Sequence, residues 1–164
     1  MKISVIIPTY NDSLNLEACL DAVFSSQFKD FEVLVVDDAS EDDTKEIASR
    51  FPCRYIRLVA NRGPAAARNA GARYSKAELL FFVDSNVVIK EDTLAKVANA
   101  YDDPEIMVYQ GLASKKSLKK GFGSELLALK WYHILHDIKE ASFVYSHLFS
   151  IRKTCLLCQN TQRE

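Results

Sequence analysis

No apolar run in these 164 residues approaches the roughly 18 to 20 that a membrane-spanning helix requires. The first such run, Ile3 to Ile7, is closed by Pro8 before it reaches the length of a signal-peptide core, so a cytoplasmic protein is expected. Net charge is missing as well. The 21 basic residues face 22 acidic ones for a formal charge of -1, so no global field draws nucleic acid or an anionic membrane, and any charged partner is bound locally. Four cysteines are too few in a chain this long for a disulfide scaffold, and reduced thiols are expected. Repeats, low-complexity tracts and linkers are absent before residue 112. With 48% hydrophobic residues, the composition supports one domain with a real core.

What is present is a series of short apolar runs at residues 3–7, 32–36, 54–58 and 79–83. They are continuous rather than alternating, which suits strands covered on both faces of a parallel sheet. Helical patterns separate them. Leu16, Leu20, Val23 and Phe24 fall on one helix face, with Glu17 and Asp21 off the stripe. Ser40-Glu41-Asp42-Asp43 has capping-box spacing and predicts a helix from about Ser40 to Phe51. Pro64 to Ala72 predicts a third, alanine-rich helix able to pack closely on a sheet, and Glu91 to Tyr101 a fourth.

Alternation of this kind implies an α/β/α sandwich with a mostly parallel central sheet, in which ligands bind beyond the carboxyl ends of the strands. The loops at those ends read Pro8-Thr9-Tyr10-Asn11-Asp12, Asp37-Asp38-Ala39-Ser40, Asn61-Arg62-Gly63 and Asp84-Ser85-Asn86. They hold an aromatic face for a base, carboxylates for a base edge and ribose, and arginines for phosphate. Asp84 and Asn86, separated by a small serine, offer two hard oxygens from one turn to Mg²⁺ or Mn²⁺. Taken singly, each has a plainer reading: Tyr10 as a surface tyrosine, and Asp37-Asp38 as caps of the next helix. The ordered set is what argues for nucleotide chemistry.

Four separated segments, in order and at compatible spacing, resemble glycosyltransferase family 2. They are Pro8 to Asn11; Ser26-Gln27 with Phe31 to Ser40; Asn61 to Gly71, which follows an N-x-G-x-x-x-A-R-N-x-G pattern; and Asp84-Ser85-Asn86, a partial D-x-D. The resemblance covers residues 1–113 well. It implies a GT-A type fold and transfer, with inversion, of a sugar from a UDP- or GDP-linked donor to a saccharide or lipid-linked acceptor. It also implies roles: Pro8, Tyr10 and Asp38 on the base, Asp37 supporting that loop, Arg62 and Arg68 near ribose or diphosphate, Asp84 and Asn86 on the metal. Asn11, Gly63 and Asn69 belong to the matched segments and join the nucleotide-binding set.

The family's catalytic aspartate has no counterpart. Ser146 to Lys153 resembles a degenerate form of the strand that precedes it, and beyond Ile151 only Glu164 is acidic. The reading is therefore a glycosyltransferase 2-like domain over residues 1–152, incomplete on its acceptor side, with an irregular tail at 153–164. Two functional expectations arise, an enzyme by ancestry that lacks its base, or an inactive nucleotide-sugar-binding remnant. An apolar face left uncovered by the missing part would favour aggregation or a homodimer.

Other readings are weaker. Val33 to Asp38 with Asp84 also suggests the acidic pocket of a response-regulator receiver, but that leaves the first thirty residues unexplained. His133, His136, Cys155 and Cys158 have zinc-ligand types, yet sit on a core-facing helix pattern and in the tail. Lys115, Lys116, Lys119 and Lys120 read as a solvated loop. With the amphipathic helix expected at 124–139 they offer a peripheral membrane contact as the alternative.

Overall fold

The computed structural model describes residues 3–110 and 148–154. The chain divides into two compact units, Met1–Tyr109 with Ser146–Glu164, and Gln110–Tyr145. All of the described residues except Gln110 belong to the first unit. The expected lysine-rich loop, the helix expected at 124–139 and the four zinc-type residues lie outside the described residues, as does the tail after Thr154.

The order is β1 (Ile3–Thr9), α1 (Ser13–Phe24), β2 (Phe31–Asp37), α2 (Thr44–Ala48), β3 (Arg54–Arg57), α3 (Pro64–Tyr74), β4 (Leu79–Val83), α4 (Thr93–Ala100), β5 (Val108–Gln110) and β6 (Leu148–Arg152). They form one sheet in the order β3-β2-β1-β4-β6-β5. The first four neighbours run parallel, as continuous apolar runs predict, and β6 joins antiparallel, Phe82 opposite Phe149. Those two rings stack with centroids 4.7 Å apart.

Every residue of β1 is buried, because its alternate side chains feed two different cores. Val5 and Ile7 join Leu16, Leu20, Ile47, Leu94 and Val97, which places α1, α2 and α4 on one face. Ile6 joins Val36, Leu80, Phe82 and, from α3, Ala67 and Ala72 on the other. This is the expected α/β/α sandwich with a mostly parallel sheet.

Local boundaries differ at one instructive place. The capping box at Ser40 does not form, and α2 begins four residues later at Thr44. Ser40 is drawn into the neighbouring loop instead. Its N–H donates to Asp37 Oδ1 at 2.8 Å, and its hydroxyl accepts the Asn11 N–H at 2.9 Å. Asp42 holds the ends of two helices together, taking the Thr44 N–H and hydroxyl on Oδ1 and the Ser13 N–H on Oδ2. A long-range loop contact has outcompeted a local cap. Within the strand-like segment Ser146 to Lys153, β6 is observed at Leu148–Arg152.

Candidate functional site: a cleft at the carboxyl ends of three strands

β1, β2 and β4 all end at the same edge, and their loops enclose a cleft of about 560 Å³. Pro8, Tyr10, Asn11, Asp38, Gly63, Arg68, Asp84 and Asn86 line it, eight of the expected site residues. Tyr10 lines this opening and is 48% exposed. Asn11, at φ 48°, turns the chain after it: its N–H reaches Ser40, and its side-chain oxygen accepts the Glu41 N–H at 2.8 Å. Asparagine tolerates that left-handed backbone better than most residues.

Asp38 is buried and joins two loops. Its N–H donates to the Thr9 carbonyl, while its two oxygens accept the N–H groups of Arg62 at 2.9 Å and Gly63 at 2.7 Å. Gly63, at φ 85°, has a conformation that glycine adopts without strain, and it delivers the chain into α3 through Pro64. The carboxylate of Asp38 therefore organises the rim at which the Asn61-Arg62-Gly63 segment meets the cleft.

Arg68 reaches from α3 to the loop after β4, with its Nη2 2.5 Å from Asp84 Oδ1. The two side chains are only 14% and 22% exposed, so this pair is far less screened than a surface ion pair. Arg68 Nε is also buried and finds no acceptor among the described residues. Behind them lies the Cys19 thiol, 3.7 Å from the Asp84 carbonyl. Burial, aided by the charges of Asp12 and Asp84, pushes Cys19 up to about 12, so it stays protonated.

Three expected residues lie outside the cleft lining. Asp37 is fully buried beneath it, accepting from Ser40 N–H, the Tyr55 hydroxyl and Arg57 at 3.0 Å. It ties the loop after β2 to β3 through Tyr55 and Arg57. Burial and the hydrogen bond to Asp37 raise Tyr55 to about 12, against the opposing effect of Arg57. Arg62 meets the site through its backbone N–H, and Asn69 is exposed on α3.

Asp12 and Ser85 are the residues that sequence reasoning left without a role. Asp12 Oδ2 accepts the Ser85 hydroxyl at 2.6 Å, and Oδ1 accepts Asn15 Nδ2 at 2.5 Å. Ser85 is thus more than a small spacer, since it straps the loop after β4 to the loop after β1. The only local signal was Asp12 at the start of α1; its partner is 73 residues away.

Among the described residues, no group of three or more His, Cys, Asp or Glu side chains converges to hold a metal alone. Asp84 and Asn86 supply two oxygens. That donor set fits Mg²⁺ or Mn²⁺ when a ligand's phosphates and waters complete the coordination.

The family description Glycosyl transferase family 2 matches residues 4–158. The chain belongs to that family. It is 36% identical over 121 residues to the uncharacterized glycosyltransferase YfnE of Bacillus subtilis, covering 71% of this chain and 31% of that protein. Among solved structures, Staphylococcus aureus TarS 1-349 superposes with a TM-score of 0.71 at 25% identity, covering 98% of this chain and 49% of that one. The mannosyltransferase PcManGT of Pyrobaculum calidifontis, solved with GDP-Man and Mn²⁺, shares the fold with a TM-score of 0.73 at 23% identity, covering 96% of this chain and 46% of that one. This family 2 chain therefore has the GT-A fold and is a transferase by ancestry. It spans about a third of YfnE and about half of the TarS chain. Among the described residues, no helix is long and apolar enough to cross a membrane.

Proposed function

We propose that the cleft binds the nucleoside diphosphate part of a sugar donor, UDP- or GDP-linked, in a glycosyltransferase that inverts the anomeric centre. The observation that carries this is the meeting of Tyr10, Asp38, Arg68 and Asp84 around one opening at the carboxyl ends of β1, β2 and β4. Each has a chemical task. The Tyr10 face lies against the base, and the Asp38 carboxylate, held by two backbone N–H groups, keeps acceptor capacity for a base N–H. Arg68 offers a guanidinium to the diphosphate. Asp84 and Asn86 would hold Mg²⁺ or Mn²⁺, which when bound neutralises charge on the leaving diphosphate. TarS has been solved with UDP and with UDP-GlcNAc, which favours the same class of ligand here.

The lining carboxylates are all engaged by protein groups: Asp12 by Ser85 and Asn15, Asp38 by two backbone N–H groups, Asp84 by Arg68. None is placed as a free base for an acceptor hydroxyl, which supports reading these residues as the donor half. A saccharide or lipid-linked acceptor and its base belong to the other half of such a site. Calorimetric titration of UDP and GDP with and without Mn²⁺, on the wild type and Asp84→Ala, tests the proposal. Metal-enhanced binding that the variant loses is expected, and absence of any nucleotide heat would overturn it. Donor hydrolysis or transfer separates an active enzyme from a binding remnant.

A further inference from the structure

The turn expected to hold a metal already has a cation against it. Of Asp84-Ser85-Asn86 only Asp84 is charged, and Arg68 occupies its Oδ1 at 2.5 Å in a largely buried pair. A divalent ion arriving alone must share Asp84 with this guanidinium, whose like charge repels it at short range and reduced dielectric. The remaining oxygens of the turn belong to neutral Asn86 and to Ser85, whose hydroxyl is committed to Asp12. The bare protein therefore has weak means of holding the ion. A diphosphate changes the balance. It brings several negative oxygens, and a guanidinium binds phosphate through a planar fork of donors. Arg68 still has a donor in reserve, because its buried Nε finds no acceptor among the described residues.

We infer that Arg68 holds Asp84 until a donor enters and then moves to the diphosphate, so that the divalent ion binds this chain together with the nucleotide and not before it. The inference rests on the donor-site proposal, and it names Arg68 as the residue that sets the order of binding. Removing the guanidinium should remove the cation that competes with the ion for Asp84. Charged hydrogen bonds of this kind correspond to about a ten- to hundredfold change in affinity.

The test is Mn²⁺ titration followed by the paramagnetic resonance signal of the free ion, on the wild type, Arg68→Met and Arg68→Lys, with and without UDP. Wild type should bind Mn²⁺ alone at least tenfold more weakly than with UDP, and by linkage Mn²⁺ should tighten UDP by the same factor. Arg68→Met should bind Mn²⁺ alone about ten- to a hundredfold more tightly than wild type, and should lose most of the coupling to UDP. Arg68→Lys, which keeps a cation, should stay near wild type for the ion alone. Equal Mn²⁺ affinity in wild type with and without UDP overturns the inference, and this comparison needs no variant to fold. Failure of UDP to bind under any condition would instead bring down the donor reading, a distinct result.

Discussion

Replacing Gly71 by alanine should loosen α3 from the sheet, although alanine is the better helix former. A Cβ built at Gly71 lies 2.3 Å from Ile6 Cγ2, 3.2 Å from Val36 Cγ2 and 3.4 Å from Ile6 Cβ. Carbon atoms pack best at about 3.5–4.0 Å, so the nearest methyl must retreat by more than about 1 Å. Ile6 is fully buried in β1 between strands on both sides, and its β-branched χ1 leaves little room to turn. Overpacking in such a place costs about 1–3 kcal/mol, here toward the upper end, and helix propensity returns about 1 kcal/mol. The net loss should be about 2 kcal/mol, lowering Tm by about 4–8 °C for a chain of this size. A double-mutant cycle isolates the cause. With Ile6→Ala as background the closest clash disappears, leaving Val36 Cγ2 at 3.2 Å, and Gly71→Ala should then cost at least about 1 kcal/mol less than in the wild type. An unchanged or raised Tm for Gly71→Ala alone would show that α3 is not seated as closely as the distances require.

Asp37→Ala should cost about 2–3 kcal/mol in urea denaturation, because the buried Ser40 N–H and the Tyr55 hydroxyl lose their acceptor, while half-exposed Arg57 turns to water. Asp37→Asn should recover part of this through its remaining carbonyl oxygen, and an alanine variant within about 0.5 kcal/mol of wild type would contradict the supporting role. Cys19, raised from 9.0 to about 12 by burial and then by Asp12 and Asp84, favours the thiol in the folded state. Its contribution to stability is therefore whole below pH 9 and is lost as pH climbs toward 12. Mapped by mass spectrometry, iodoacetamide should modify Cys53, which is only half-buried, well before Cys19 in the native protein; equal rates would refute the burial argument.

Much of the architecture was readable from local pattern. Continuous apolar runs marked β1, β2 and β4 because a strand covered on both faces has no polar side to show. The proline at the start of α3 and the small residues within it announced a helix lying close to the sheet, and Gly71 against Ile6 is that contact. The polar loops at the strand ends named most of the cleft, since parallel strands deliver all their carboxyl ends to one edge. Local pattern misled at Ser40, where a capping box was outbid by Asp37 and Asn11, one of them 29 residues away.

Which loop residues share an oxygen was decided by tertiary structure alone. Arg68 with Asp84, Asp12 with Ser85, and Asp38 with the backbone of Arg62 and Gly63 are pairings across 16, 73, 24 and 25 residues. Spacing along the chain carries no information about them, because each depends on the register that places β1 between β2 and β4. Residue types and order therefore determined the fold and the family. The sheet determined that an arginine lies against the aspartate expected to hold the metal.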